Sequence, residues 1–140
     1  MWTGASRGYG CARNGVEAKA MSKYFQDAEF RRCVPSCSID QMQPGFLELL
    51  DAVREAAGIP LVLNSAYRSV EWEKSKKRTG ASSHTKGLAV DIRCTANATR
   101  YKIIAAALSC GIRRIGVAHT YIHLDADESK SQGIIWDYYA

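Results

Sequence analysis

The spacing of apolar residues predicts two long helices in this chain. The first covers "QPGFLELLDAVREAAG", where apolar side chains recur on one helical face: Phe46, Leu47, Leu50, Val53 and Ala57. Pro44 suits the first turn of this helix, and Gly58 suits its end. The second helix is predicted over residues 97–110, with Asn97 or Thr95 as its N-terminal cap. Shorter helices are predicted in "SKYFQDAEFRR" and in "SVEWEKSKKRTG", the latter ending at its terminal glycine.

Runs rich in β-branched and alternating apolar residues predict the strands. They are "IPLVLNSAYR", "LAVDIR", "IRRIGVA", "TYIHLDA" and "GIIWDYYA", the third and fourth forming a hairpin. In "LAVDIR", the side chains of Val90 and Ile92 share one face, and Asp91 lies on the other face, away from the core. Helices outside a small, mainly antiparallel sheet, without regular β-α-β alternation, indicate the α+β class.

Composition favours one folded domain, which we expect to span residues 21–140. Hydrophobic residues make up 46% and charged residues 24% of the 140 residues, as in ordinary globular proteins. Residues 1–20 contain several glycines without periodicity, which is typical of a flexible arm or linker. No signal peptide is visible and no apolar run is long enough to cross a membrane. We therefore expect either that any export uses another route or that this sequence is a piece of a larger chain. We expect a monomer.

The basic cluster and the cysteines each allow two interpretations. The net charge of +5 includes a dense cluster, "KSKKR", which suits either a solvated helix face or attraction to a polyanion. No nucleic-acid partner is expected, because no recognised motif accompanies this cluster and aromatic residues do not interleave with it. The five cysteines are odd in number, and the pairs Cys33–Cys37 and Cys94–Cys110 are predicted either as disulfides or as buried thiols.

Two of the three histidines, His84 and His123, indicate a metal site. In "YIHLD", strand alternation puts Tyr121, His123 and Asp125 on one face. If "LAVDIR" pairs beside this strand, His123, Asp91 and His84 converge from two strands and a loop. Two imidazoles and a carboxylate with an open fourth position form a common catalytic zinc shell, and imidazole nitrogen favours zinc over magnesium or calcium. Such a zinc activates water and polarises a carbonyl, which is the chemistry of peptide-bond hydrolysis.

Three segments resemble a known peptidase family. "SSHTKGLAVD" fits the S-x-H-x-x-G-x-A-x-D signature of the zinc D-alanyl-D-alanine carboxypeptidase and L-alanyl-D-glutamate endopeptidase family. "YIHLD" resembles the H-x-D form of that family's final ligand motif, and "NSAYRS" resembles its S-x-Y-R segment. The resemblance covers residues 21–140. It implies a hedgehog-type α+β fold and cleavage of peptidoglycan stem peptides, as in bacterial or phage cell-wall hydrolases.

The resemblance also implies roles for single residues. His84, Asp91 and His123 would bind one zinc ion per chain. Arg68 would hold the substrate carboxylate or the developing oxyanion, because its guanidinium matches both geometries. Ser82 would support the site through hydrogen bonds.

The proton-accepting group is the least determined part of this prediction. Several relatives carry a carboxylate shortly before the last histidine, where this chain has Thr120 and Tyr121. Asp125 is predicted instead, either as the general base or as the carboxylate that orients His123, and His119 is the other candidate. Tyr121 is predicted to donate a hydrogen bond to substrate or to pack.

The sequence therefore predicts one of two functions. The first is a zinc peptidase that acts on the cell wall, either exported or delivered by a phage. The alternative is a catalytically silent, zinc-stabilised binding module with a hedgehog-like fold, which the change before His123 allows.

Overall fold

Four α-helices and five strands occur in residues 21–139, the part of the chain that the computed structural model describes. The helices are α1 (Asp27–Arg31), α2 (Pro44–Ala57), α3 (Val70–Ser75) and α4 (Asn97–Ser109), with 3-10 helices at Ile39–Gln41 and Ser83–Lys86. The strands are β1 (Leu63–Ser65), β2 (Ala89–Arg93), β3 (Arg114–Val117), β4 (Tyr121–Asp125) and β5 (Ile134–Asp137). The predicted arm at residues 1–20 lies outside the described residues.

The five strands form one mainly antiparallel sheet in the order β1-β2-β4-β3-β5. β2 pairs with both β1 and β4, and β3 with β4, all antiparallel. β5 then adds to the free edge of β3 in the parallel direction. The predicted hairpin of β3 and β4 is confirmed, and so is the α+β class with a mainly antiparallel sheet.

The hydrophobic core lies between the two long helices and one face of the sheet. The helices contribute Leu47 and Leu50 from α2 and Ile103 from α4. The sheet contributes alternate residues of its strands: Leu63, Val90, Ile92, Ile115, Ile122 and Leu124. Because strand side chains alternate, the intervening residues of β2, β3 and β4 lie on the opposite face, where the polar site is built.

The first of the long helices has the ends that its sequence predicts. α2 begins with Pro44 in its first turn, and Gly58 adopts a left-handed conformation with φ of 69° at its C-terminal end. The missing amide hydrogen of proline costs nothing in a first turn, and glycine adopts positive φ without a Cβ penalty.

Other predicted boundaries are wrong. α4 has Ala96 at its N-cap and no side-chain cap, so neither Asn97 nor Thr95 has the predicted role. α3 ends at Ser75 rather than at Gly80. Only three residues of "IPLVLNSAYR" are in a strand. Only five of the eleven residues of "SKYFQDAEFRR" are helical, because Ser22 and its neighbours bind the Asp51 carboxylate instead of starting the helix.

The four cysteines within residues 21–139 are free thiols. Cys33, Cys37 and Cys94 are buried, and all three belong to the hydrophobic core. Of the two readings that the sequence left open, the structure therefore shows buried thiols at these three positions. Cys110 is only partly buried.

A register shift in β1 places Ser65 on the polar face of the sheet. Leu63 lies opposite Ile92 of β2, whereas Ser65 lies opposite Asp91, because the register shifts between the two β1 residues. The shift lets Leu63 join the core and Ser65 join the polar face, although regular alternation would put both on the same side.

One row of residues crosses this polar face through all five strands. Ser65 pairs with Asp91, Asp91 with His123, His123 with Gly116 and Gly116 with Trp136. Neighbouring strands are about 4.8 Å apart, so residues in one row lie within reach of each other's side chains. This row holds two of the predicted metal ligands at its centre.

Candidate metal centre and cleft

The structure brings the three predicted metal ligands together. One donor atom of each of His84, Asp91 and His123 lies within 4.8 Å of the other two, and all three residues are buried. Asp91 Oδ1 is 3.4 Å from Nε2 of His84 and 3.0 Å from Nδ1 of His123. The carboxylate of β2 therefore lies between an imidazole from the preceding 3-10 helix and an imidazole from β4.

Two hydrogen bonds hold His84, one at its main-chain amide and one at its ring. Its main-chain amide donates to Oγ of Ser82, the N-cap of the 3-10 helix, over 3.1 Å. Its Nδ1 donates to the carbonyl oxygen of Ala66 over 2.6 Å, which turns Nε2 toward Asp91. Gly87 ends this helix with φ of 71° and lies against the backbone of Gln41 and Gln43.

A buried carboxylate fastens the other side of the 3-10 helix. Asp127 accepts hydrogen bonds from Ser83 Oγ at 2.8 Å, Lys86 Nζ at 3.0 Å and Ser129 Oγ at 2.6 Å. Burial alone would raise the pKa of Asp127, but the hydrogen bonds from Ser129, Ser83 and Lys86 outweigh it and lower the pKa below its usual range. The helix that carries His84 is therefore tied to the segment after β4.

Each oxygen of Asp91 has a separate partner. Oδ1 faces the two imidazoles, and Oδ2 accepts from Arg68 over 2.9 Å. Burial opposes ionisation of Asp91, but hydrogen bonds and charge from His123 and His84 dominate and lower its pKa. Asp91 is thus an ionised carboxylate, which is the form that binds a cation.

The two ring nitrogens of His123 also face different carboxylates. Nδ1 faces Asp91, and Nε2 lies 2.6 Å from Oδ2 of Asp125. Burial disfavours protonation of His123, yet Asp125 and Asp91 outweigh it and raise its pKa. Asp125 is itself bound by Arg114 Nε at 2.8 Å and by the amide of Asp127 at 3.1 Å.

These donors fit a zinc ion. Two neutral imidazole nitrogens and one carboxylate oxygen form a donor set that zinc prefers, at about 2.0–2.2 Å from the metal. Both imidazoles have their other nitrogen engaged, His84 by a carbonyl and His123 by Asp125, as is usual for histidine ligands. A bound cation would stabilise the buried, ionised Asp91 carboxylate between the two imidazoles.

Arg68 connects the candidate ligands to α3. Its Nε donates to Ser65 Oγ over 2.9 Å, and its Nη1 donates to Glu73 Oε2 over 3.3 Å. The buried Glu73 also accepts from Nη1 of Arg78 over 3.4 Å. Arg68 is only 15% exposed, whereas Arg78 is 50% exposed, so Arg78 is the arginine with the larger surface open to solvent.

The site opens into a cleft of about 530 Å³. Its charged and hydroxylic lining residues include Arg68, Glu73, Arg78, Ser82 and Arg114. Its lining also includes an aromatic wall, which consists of Tyr121 on β4, Trp136 on β5 and Tyr138 just after β5. The ring centroids of Trp136 and His123 are 5.4 Å apart, so the wall begins directly beside a candidate ligand.

Most of the predicted site residues line this cleft, and one does not. Arg68, Ser82, Tyr121 and Asp125 are in its lining together with the three candidate ligands. His119 lies in the turn between β3 and β4, exposed, with its ring 4.3 Å from that of Tyr139. The structure does not bring His119 to the metal site.

Sequence reasoning missed Glu73, Arg78, Trp136 and Tyr138 as cleft residues. For the aromatic pair, a signal was present in "IIWDYY", where strand alternation puts Trp136 and Tyr138 on the same face. No comparable signal existed for Glu73, because its burial depends on the packing of α3 against Arg68 rather than on any periodicity.

Comparison with known families agrees with the ligand set. The family model of Peptidase M15 matches residues 23–125, well over half of the chain. The chain belongs to the Peptidase M15 family. The match contains all three candidate ligands and Arg68, and it ends before β5 and its aromatic residues. No curated protein matches the chain.

Membership confirms the predicted family and fold type, and it makes the chain a member of a group of zinc metallopeptidases. It also agrees with the His84, Asp91 and His123 cluster as the place where a metal ion fits. Within residues 21–139, no helix combines the length and apolar character that crossing a membrane requires.

Proposed function

We propose that this protein is a zinc peptidase that hydrolyses peptide bonds in the stem peptides of peptidoglycan, with one zinc ion per chain. The reaction would be of the D-alanyl-D-alanine carboxypeptidase or the L-alanyl-D-glutamate endopeptidase type. We further propose that it acts on the cell wall, as a bacterial remodelling enzyme or a phage lysin. The observation that carries the proposal is the buried set of His84, Asp91 and His123 at the bottom of an open cleft.

His84, Asp91 and His123 would hold the metal. When bound at such a site, zinc lowers the pKa of a water ligand to about 7 and polarises the scissile carbonyl. The protein keeps its three donors ready by engaging their other polar atoms: Nδ1 of His84, Oδ2 of Asp91 and Nε2 of His123. Such prior orientation removes most of the rearrangement that binding and catalysis would otherwise require.

Arg68 would stabilise negative charge on the substrate. An arginine has five N–H groups, and Arg68 uses three of them on Ser65, Glu73 and Asp91. The remaining two belong to a guanidinium in the cleft lining, next to Asp91. They are suited to a carbonyl oxygen that becomes an oxyanion, or to a carboxylate of the stem peptide.

We assign Asp125 the task of orienting His123 rather than that of accepting the proton of water. Its Oδ2 contacts His123, its Oδ1 contacts Arg114, and its side chain has no exposed surface. A general base must lie within about 2.6–3.2 Å of the attacking water. Both oxygens of Asp125 already accept hydrogen bonds from the protein, so neither is well placed to accept a proton from water. Asp125 is favoured over His119 for any role at the metal because His119 is exposed and stacks on Tyr139.

Ser82 and Tyr121 would complete the substrate site. Both line the cleft, Ser82 at the start of the 3-10 helix and Tyr121 at the start of β4. The net charge of +5 and the exposed Arg78 suit a cell wall rich in carboxylates. Attraction of this kind weakens as salt screens the charges, so association with wall fragments should be slower at high ionic strength.

The proposal is tested by mass spectrometry of muropeptides. Zinc-loaded protein is incubated with purified sacculi and with synthetic stem peptides, and the new termini identify the bond that is cut. Asp91→Asn should abolish cleavage, while Asp40→Asn, an exposed aspartate outside the cleft, should cleave like the unmodified protein.

Two results would overturn the proposal. If zinc-loaded protein leaves both sacculi and stem peptides intact, peptidoglycan is not its substrate. If it binds zinc tightly and cleaves no D-amino-acid peptide at all, the silent zinc-stabilised binding module is the correct function.

A further inference from the structure

The indole of Trp136 is a large apolar surface left open beside a candidate metal ligand. Its centroid lies 5.4 Å from that of His123, and the Arg114 guanidinium lies 4.9 Å from its centroid. Trp136 is half-buried, lines the cleft and is not a member of the hydrophobic core. An aromatic side chain in this position contacts whatever occupies the cleft next to His123.

Gly116 provides the room that this indole occupies. Gly116 lies between His123 and Trp136 in the row across the sheet. A Cβ atom at Gly116 would be 2.8 Å from the Trp136 ring and 2.9 Å from the Tyr138 ring. Its φ lies outside the left-handed region, so the backbone would accept alanine. The glycine is therefore required by the two rings rather than by chain conformation.

The aromatic wall continues outward from the metal site. The Tyr138 ring lies 6.3 Å from Trp136 and 5.6 Å from Tyr121, all between centroids. Arg68 and Arg78, with the buried Glu73, also line the cleft. The Arg114 guanidinium lies against Trp136, so the cleft offers both cationic groups and aromatic area around the candidate ligands.

We propose that Trp136 determines specificity by packing against a small apolar side chain, the methyl group of an alanine, adjacent to the bond that is cut. This inference rests on the proposed function. Burying one methyl group on an aromatic surface is favourable, and discrimination by a single methylene is about 10-fold to 200-fold. Trp136 would thus favour alanine over glycine beside the scissile bond, while the arginines contact the anionic part of the peptide.

The first test compares two synthetic stem peptides that differ only by alanine or glycine next to the cut bond. The unmodified protein should show about tenfold higher kcat/KM for the alanine peptide. Trp136→Ala should cleave both peptides with equal kcat/KM, mainly because KM for the alanine peptide rises. Trp136→Phe should retain part of the preference, since a smaller aromatic ring still covers part of the methyl group.

Gly116→Ala tests the same contact without removing the indole. The added methyl group should displace the Trp136 and Tyr138 rings and reduce the alanine preference about as far as Trp136→Ala does. Tyr101→Ala is the matched control, because Tyr101 is an exposed aromatic on α4 outside the cleft. It should leave the preference unchanged. If Trp136→Ala fails to fold, Gly116→Ala and Trp136→Phe still decide the question.

A binding measurement provides a readout that does not depend on turnover. The alanine peptide is added to metal-free protein while tryptophan emission is recorded. The change in emission should persist in Trp72→Phe and disappear in Trp136→Phe. Zinc stoichiometry is measured on all variants and should be the same as in the unmodified protein.

The outcomes separate this inference from the proposed function. If the unmodified protein cleaves neither peptide, the proposed function fails. If it cleaves both but does not prefer alanine, or if Trp136→Ala keeps the preference, Trp136 is not a specificity residue and the peptidase assignment stands.

Discussion

Oδ2 of Asp125 lies 2.6 Å from Nε2 of His123, the ring nitrogen that Asp91 does not contact. With a metal ion on Nδ1, this contact would hold the remaining proton of His123 on Nε2. Asp125 and His123 are two residues apart on β4, so strand alternation alone brings them to one face. The pairing gives Asp125 a direct contact with a candidate ligand, although its side chain has no exposed surface.

Asp125→Asn should weaken zinc binding about 10-fold to 100-fold, the usual effect of removing the partner of a histidine ligand. Asparagine replaces one of the two accepting oxygens by an NH2 donor, so the side chain can no longer accept from both His123 and Arg114 as the carboxylate does. Competition with a chromogenic chelator measures the affinity, and Asp40→Asn serves as the control. Equal zinc affinities for the two variants would show that Asp125 does not orient His123.

Arg114→Met should lower the free energy of unfolding by about 3 kcal/mol, because it leaves Asp125 as a buried charge without its cation. Arg114 also donates to the Ser131 carbonyl over 2.7 Å, so the segment before β5 should loosen as well. Urea denaturation measures the change, and Arg93→Met, an exposed arginine on β2, is the control. The prediction is contradicted if the two methionine variants lose the same stability.

Gly87→Ala should destabilise the protein far more than Gly58→Ala, although both glycines have nearly the same φ, 71° and 69°. At Gly58 nothing lies within 4 Å of an added Cβ, so only the cost of positive φ applies, about 1–2 kcal/mol. At Gly87 the Cβ would also meet the backbone at Gln41 and lie 3.1 Å from the amide nitrogen of Gln43. Denaturation midpoints compare the two, and similar losses would refute this account.

Asp127→Asn should cost about 2 kcal/mol at pH 7, since hydrogen bonds to a charged group contribute about 1.5–3 kcal/mol. The pKa of Asp127 is lowered in the folded protein, so its contribution to stability is present above the unfolded pKa of about 3.9. It is lost as the pH falls from there toward the lowered folded pKa. Urea denaturation at pH 7, 5, 4 and 3.5 should show the difference from the unmodified protein shrinking only below about pH 4. A difference that is constant over this range would mean that the charge of Asp127 contributes nothing.

Part of the candidate site was predictable because it depends on short-range geometry. Strand alternation in "LAVDIR" and "YIHLD" put Asp91 and His123 on the polar face, and the antiparallel pairing of β2 with β4 makes them direct neighbours. The ends of α2 were predictable for the same reason, since proline and glycine favour helix ends through the conformations of their own backbone. The cap of α4 was not, because Ala96 at the N-cap has no local side-chain signal.

By itself, the sequence determined the fold class, the peptidase family and the three candidate ligands, because periodicity and motif spacing are local properties of the chain. Only the tertiary structure decided which partners orient those ligands and what surrounds them. Arg68 reaches Ser65, Glu73 and Asp91 only because a register shift turns Ser65 toward the polar face and α3 packs beside it. Trp136 reaches the cleft only because β5 joins β3 at Gly116. Contacts between segments far apart in the chain depend on how those segments pack, and no local pattern encodes them.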